Sequence, residues 1–384
     1  MSMSSTTTDG TDGRAQALVA SYVRAGFAQI EPPILQPVAT FLDLCGEDMR
    51  RRLVLTSEPE GRELCLRPDL TIAVARAYLH SAAAGKAAGF CYLGAAFRRR
   101  EGAPPEFLQA GVESFGRQDK AAADAEMLAL GLEATAQYGL STPEIRMGDI
   151  GLFAAFIAAL DLAPAWQRRL VNNFNRKSSL AQDLEQLARA GANTPPEYQS
   201  MLAALAGSDP KAAHRLVTDL FSLAGIEPAS GRSVAEIAEC LLELAMPAAA
   251  GAPTRLPDET HALIERYLKL NGNPDEVAGE LRALAEDAKI SLNAALDLFE
   301  TRSGFLAARG VDVRAIRFST ALRCGFDYYT GFVFELHDPR AKQNPLVAGG
   351  RYDGLLARLG ARETIPAVGF AASIEELAAC AGAS

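Results

Sequence analysis

One stretch constrains this chain more than any other: Phe97-Arg98-Arg99-Arg100-Glu101-Gly102-Ala103-Pro104-Pro105-Glu106-Phe107-Leu108-Gln109-Ala110-Gly111-Val112-Glu113-Ser114-Phe115-Gly116. The part after the turn alternates like a strand. Phe107, Gln109, Gly111, Glu113 and Phe115 point one way; Leu108, Ala110, Val112 and Ser114 point the other. Together with Phe90 to Phe97 it predicts a hairpin. Gln109 and Glu113 share a face, with side-chain-free Gly111 between them. An amide and a carboxylate flanking a glycine predict a flat floor on which a small amphoteric ligand can lie.

The flanking segments predict more strands and helices. Arg14 to Arg24 has the spacing of an amphipathic helix. Ile30 to Leu35 is a short extended run whose prolines predict an edge or interface strand. Glu63 to Leu66 predicts a strand, Pro68-Asp69-Leu70-Thr71 opens a helix to about His80, Ala121 to Tyr138 is helical, and Glu144 to Asp149 is a strand. From Gly151 the character changes: Ala, Leu, Glu and Arg dominate at helical spacing, as in Leu180, Leu184 and Leu187. Loops at 192–196 and 248–253 interrupt it. Strands return at Ile316 to Leu322 and Thr330 to His337, then a strand-to-helix passage over Ala367 to Leu377. Strands before and after a helical block predict an α+β domain split by an insertion. The expected organisation is a frayed tail over 1–13, one domain from 14–150 and 311–384, and an all-helical insertion over 151–310.

The 384 residues suggest about two domains, at roughly 150 residues each. A net charge of -9 argues against a broad nucleic-acid footprint, which needs clustered Lys and Arg. No apolar run is long enough to span a bilayer, and the Ser/Thr/Asp/Gly-rich start is not expected to be a signal peptide. Six scattered cysteines, with no Cys-x-x-Cys and no His cluster, predict reduced thiols in a cytoplasmic protein and no metal site.

Several segments, in order, resemble the catalytic domain of histidyl-tRNA synthetases, a class II aminoacyl-tRNA synthetase family. Ile30 to Leu35, with Pro33, resembles motif 1. Leu66-Arg67-Pro68-Asp69-Leu70-Thr71 resembles the segment that holds the α-amino group of histidine. Phe97 to Gly116 resembles motif 2, Phe174 to Leu180 the start of the family's helical insert, and Gly325-Phe326-Asp327-Tyr328-Tyr329-Thr330-Gly331 a signature of histidine enzymes. Gly349 to Leu355 and Ala367 to Leu377 complete the set, the last at motif 3. The resemblance implies a class II antiparallel sheet flanked by helices.

It also implies roles. Asp69 and Thr71 stand where the family holds the amino group, with Asp69 one methylene shorter than the usual Glu. Gln109 stands near the carboxylate, Glu113 and Tyr328 or Tyr329 around the imidazole, and Arg98 at the first arginine of motif 2. An ammonium wants an anion beside it, and a buried imidazole N–H wants an acceptor.

The groups that grip ATP are not kept. Adenylate formation needs cations aimed at phosphates. Arg100 replaces an acidic residue. Pro105, Cys324 and Glu376 stand where the family has arginines, although Arg323 precedes Cys324. Losing one preorganised charge costs about 3 kcal/mol or more in barrier. The chain also stops shortly after motif 3, where the synthetases carry an anticodon-binding domain, so no tRNA partner is expected.

A spared histidine pocket, a broken ATP site and a missing tRNA domain resemble the regulatory subunits of ATP phosphoribosyltransferase, a synthetase-paralogue family. That resemblance implies no catalytic residue, no cofactor, free histidine as ligand, a homodimer through motif 1, and a hetero-oligomer with the short-form catalytic subunit, a glycosyltransferase of histidine biosynthesis. Two other functions stay open: an active ligase that adenylates histidine, and a scaffold that binds no ligand.

Plainer roles stand beside these. Asp69 also suits a helix N-terminus. Ser373-Ile374-Glu375-Glu376 reads as a capping box. Arg98 to Arg100 suit a solvated edge, a partner contact or a relic nucleotide site, and Arg50-Arg51-Arg52 a solvated loop. Gly349-Gly350-Arg351 suits a tight turn and is not a P-loop, since no Gly-Lys-Ser/Thr follows. Tyr328 and Tyr329 alone would suit a core.

Overall fold

The computed structural model describes residues 9–42, 44, 49, 51–162, 164–174, 180, 184, 256–323, 325–340 and 344–382. Its strands are β1 (Ala28–Gln29), β2 (Leu35–Pro37), β3 (Leu55–Ser57), β4 (Glu63–Leu66), β5 (Ala88–Phe97), β6 (Glu106–Phe115), β7 (Glu144–Asp149), β8 (Asn271–Gly272), β9 (Arg317–Ser319), β10 (Phe332–His337), β11 (Val347–Arg351) and β12 (Ala367–Ser373). The described helices are α1 (Asp9–Arg24), α2 (Val38–Leu42), α3 (Thr71–Leu79), α4 (Lys120–Gln137), α5 (Ile150–Ala159), α6 (Pro164–Phe174), α7 (Asp258–Leu268), α8 (Pro274–Asp287), α9 (Asn293–Ala308), α10 (Leu355–Arg358) and α11 (Ile374–Gly382).

Nine strands form one sheet in the order β1-β5-β6-β12-β11-β10-β7-β9-β8. The central six, β5 to β7 in that order, are antiparallel; β1 joins β5 and β9 joins β7 in parallel, so the sheet is mixed at its margins. A separate three-stranded sheet has the order β2-β4-β3. The fold is α+β, as expected.

The two faces of the large sheet differ. Val112, Phe370, Phe334 and Val347 share one face through the ladder register and are buried. Helices α1 and α4 cover it: Tyr22 of α1 packs edge-on against Phe370 at 5.8 Å. Gly131 of α4 leaves so little room that a Cβ there would lie 3.2 Å from Val347. On the opposite face, one row across the strands reads Glu113, Gly369, Gly350, Val333, Gly148. Small residues on that face leave the depth a polar site needs.

Buried charges lock the large sheet to α4 and α9. Asp124 of α4 accepts Arg302 Nε at 3.0 Å and Arg351 Nε at 2.8 Å, and Arg302 Nη2 pairs with Asp149 at 2.8 Å. All four residues are buried.

The chain divides into two compact units. One comprises Met1–Leu152, Lys269–Leu284 and Leu292–Ser384; the other comprises Phe153–Leu268 and Ala285–Ser291. The insertion expected over 151–310 therefore differs from the observed division, which places most of α8 and all of α9 with the sheet. In the second unit, Tyr267 packs between Phe153 and Phe156, with ring centroids 5.6 and 4.5 Å away. Leu187, the loops at 192–196 and 248–253, and the tail over 1–8 lie outside the described residues.

Two local expectations need correction. Ile30 to Leu35 is not a strand: the ladder starts only at Leu35. Pro32 and Pro33 have no N–H to give a ladder, and their carbonyls accept from the Arg67 and Gln36 side chains instead. The capping box at Ser373 does not close. The Ser373 N–H goes to Leu346 O, and Glu376 accepts from Asn344 at 3.1 Å. Glu375 takes the Leu108 N–H at 2.8 Å.

Candidate functional site

The site begins at the N-terminus of α3. Asp69 Oδ1 accepts the Ile72 N–H at 3.1 Å, a helix-end bond, while its Oδ2 is buried without a hydrogen-bond partner. One carboxylate thus serves the helix and keeps an acceptor in reserve. Burial raises the Asp69 pKa; the Ile72 N–H and the Arg98 guanidinium oppose that. Thr71 is buried on the first turn, and its hydroxyl faces Glu113 and Tyr92, where it lowers the pKa of both.

The hairpin β5–β6 supplies the next groups. Its turn uses Gly102 at φ 70°, a conformation that only glycine adopts without strain. Directly opposite residues share a face, so Tyr92 and Gly94 lie beside Gly111 and Gln109. Tyr92 Oη donates to Glu113 Oε1 at 3.1 Å, and Tyr352 Oη donates to Glu113 Oε2. Glu113 is fully buried, and burial pushes its pKa up to about 8 against the hydrogen bonds from Tyr352, Thr71 and Tyr92. The expected flat floor at Gly111 is occupied: a Cβ there would collide with the Tyr92 ring and with Phe370 O. Likewise a Cβ at Gly369 would strike the Glu113 carboxyl. These glycines make room for the protein's own phenol and carboxyl.

Gln109 is buried, with Oε1 lacking a hydrogen-bond partner. Arg98 is half-buried, and its Nε has no hydrogen-bond partner either. Its guanidinium sits 4.7 Å from the centroid of Phe107 and 5.6 Å from that of Phe326. Burial lowers the Arg98 pKa and Asp69 restores part of it, so the two opposite charges face one another across the site. Arg98 is therefore not a solvated edge, whereas Arg99 is exposed. Arg100 stacks at 4.4 Å over Phe107 and donates to Pro104 O.

Tyr328 and Tyr329 are buried and packed together at 4.8 Å. Tyr352 lies 5.7 Å from the first and 6.3 Å from the second, and Phe326 stacks on Tyr328 at 5.1 Å. The structure thus brings Asp69 near Arg98, Thr71 near Glu113, and Tyr328 and Tyr329 beside Tyr352, which bonds Glu113, with Gln109 on the same strand face as Glu113. Sequence reasoning missed Tyr92 and Tyr352, the two phenols that donate to Glu113. The only signal for Tyr352 was its place after Gly349-Gly350-Arg351. A separate cleft of about 590 Å³, lined by Glu144, Arg146, Asn273, Arg314 and Arg317, lies at the other edge of the sheet and contains none of these residues.

At the positions where phosphate-gripping cations were expected to be missing, Pro105 is exposed, and Glu376 presents a carboxylate bonded to Asn344. Cys324 lies outside the described residues. Among those residues no group of His, Cys, Asp and Glu is arranged to hold a metal ion. Cys65, Cys91 and Cys380 are buried free thiols, and no described helix is long and apolar enough to cross a membrane.

A family model described as Histidyl-tRNA synthetase matches residues 11–245 and 212–377. An ATP phosphoribosyltransferase regulatory subunit of Brucella canis is 38% identical over 356 residues, covering 92% of this chain and 93% of that one. The chain belongs to the ATP phosphoribosyltransferase regulatory subunit family. A regulatory subunit/histidyl-tRNA synthetase from Bacillus halodurans shares the fold at TM-score 0.67 and 21% identity, covering 98% of this chain and 81% of that one. A histidine–tRNA ligase subunit from Alicyclobacillus acidocaldarius does so at TM-score 0.59 and 24% identity, covering 99% and 96%. These likenesses identify the sheet and its helices as a class II synthetase-like fold.

Proposed function

We propose that this chain is a non-catalytic regulatory subunit that binds free histidine in the pocket described above and controls a short-form ATP phosphoribosyltransferase catalytic subunit allosterically. The observation that carries the reading is a set of buried polar atoms without hydrogen-bond partners. Asp69 Oδ2 is an unused acceptor, Arg98 Nε an unused donor and Gln109 Oε1 an unused acceptor, all on residues of one site. Native proteins seldom leave such atoms unsatisfied. An ammonium at Asp69 and a carboxylate at Arg98 match a zwitterion. Glu113, between two phenols and near Tyr328 and Tyr329, suits an imidazole N–H.

Charge supports the non-catalytic part. A triphosphate would meet Pro105 and Glu376 where cations are required, and only Arg98 is kept. The net charge of -9 favours a small-molecule and protein role over a tRNA partner. Self-association as a homodimer has a candidate surface in Ile34 and Leu35, 44% and 51% exposed, at the motif 1 segment. Histidine would bias two assembly states through its differential affinity, and coupling of about 1–3 kcal/mol suffices.

The test mixes the chain with a short-form catalytic subunit and measures phosphoribosyl transfer with and without histidine. The reading expects turnover to depend on the chain and to change as histidine saturates. Turnover indifferent to the chain overturns the regulatory role; histidine-dependent ATP–pyrophosphate exchange by the chain alone overturns the non-catalytic one.

A further inference from the structure

Arg67 is a buried cation that the site as described does not use. It is 2% exposed. Its Nε donates to Ala95 O at 2.7 Å and its Nη1 to Pro32 O. No carboxylate among the described residues lies within ion-pair distance of it, and only Glu31 acts on it, from farther off. Such a charge is costly to bury unless an anion completes its shell.

Its position places it beside Gln109 on the sheet face. A Cβ on Gly94 would come within 2.5 Å of Arg67 Nη2, so the guanidinium lies over Gly94 on the sheet face. Gly94 pairs directly with Gln109 in the ladder. Nη2 makes no hydrogen bond among the described residues. The backbone of Arg67 is pinned as well: its N–H donates to Ile34 O at 2.9 Å, and its carbonyl accepts the Phe97 N–H at 2.9 Å, one residue before Arg98. Two fixed carbonyls and a fixed backbone leave one nitrogen of a rigid fork over Gly94.

We infer that Arg67 is a ligand-binding residue, whose Nη2 receives the carboxylate of the bound amino acid beside Arg98. The inference rests on the amino-acid pocket proposed above. A planar guanidinium held on two sides suits an oxyanion better than a mobile ammonium would. Asp69 then serves the ammonium, and two guanidiniums serve the carboxylate. The consequence is specificity: the pocket takes a free amino acid with an intact carboxylate and rejects its reduced or esterified forms.

Calorimetric titration with histidine and with histidinol, which carries a hydroxymethyl in place of the carboxylate, tests this on the full chain. The wild type should bind histidine at least about tenfold more tightly than histidinol. Arg67→Gln should shrink that preference by about tenfold while leaving histidinol affinity unchanged. Equal weakening of both ligands, or an unaltered preference, overturns the inference and leaves the pocket standing. Should Arg67→Gln fail to fold, Arg98→Gln decides: a residual preference for histidine requires a second cation, and its complete loss overturns the role of Arg67. Failure of the wild type to bind histidine at all removes the pocket itself, and the inference with it.

Discussion

The phenol of Tyr352 hydrogen-bonds Glu113 Oε2 across 239 residues of chain. Tyr92 holds the other oxygen from the neighbouring strand. A buried carboxyl with a donor on each oxygen is fixed in place before any ligand arrives. Removing one donor leaves a buried acceptor short of a partner. Tyr352→Phe is expected to destabilise the chain by about 1–3 kcal/mol in urea unfolding. Wild-type stability in that variant would count against the bond.

Glu113 also sets a pH dependence. Its folded pKa is about 8, against an ordinary value of 4.5. Between those values the folded chain holds a proton that the unfolded chain has released. The contribution is fully present below the unfolded value and declines as pH rises through the folded one. Thermal melts of the wild type should therefore fall in Tm from about pH 5 to 8, and Glu113→Gln should fall less steeply. Parallel slopes for the two proteins would show that Glu113 is not held protonated.

Glycines offer a paired comparison. A Cβ at position 369 has no space beside the Glu113 carboxyl and Val112 O, whereas one at Gly279, exposed on α8, meets nothing within 4 Å. Gly369→Ala is expected to lower both stability and histidine affinity. Gly279→Ala should stabilise by about 0.5–1 kcal/mol through helix propensity alone. Differential scanning calorimetry of the pair, with and without histidine, checks both signs.

How much of this was legible in the sequence differs by element. The hairpin was legible because a period of two and a Gly-Ala-Pro-Pro turn are local signals, and β6 (Glu106–Phe115) holds the alternating residues Phe107 to Phe115. The opening of α3 after Pro68 was legible for the same reason, as was the helix-end bond of Asp69. Tyr92 and Tyr352 were not, because cross-strand register and an approach from 239 residues away leave no local pattern. The strand expected at Ile30 failed on chemistry visible only in three dimensions, where Arg67 and Gln36 claim the proline carbonyls. The capping box failed similarly, once Leu346 and Asn344 were the nearer partners.

The buried charges offer a prediction far from the ligand. Asp124 neutralises both Arg302 and Arg351. Asp124→Ala removes one of the two carboxylates on each guanidinium, since Asp149 still pairs with Arg302 and Asp353 with Arg351, and should cost about 1–3 kcal/mol, read as a lower urea midpoint. A loss under about 1 kcal/mol would mean that solvent reaches those cations, as it does for surface pairs.

The central claim is that this synthetase-like sheet holds free histidine through Glu113. Titrating histidine into the full chain and into Glu113→Ala tests it most directly. The account predicts saturable binding to the wild type and a Kd raised more than about tenfold in the variant. Equal affinities, or no heat from the wild type, would contradict it.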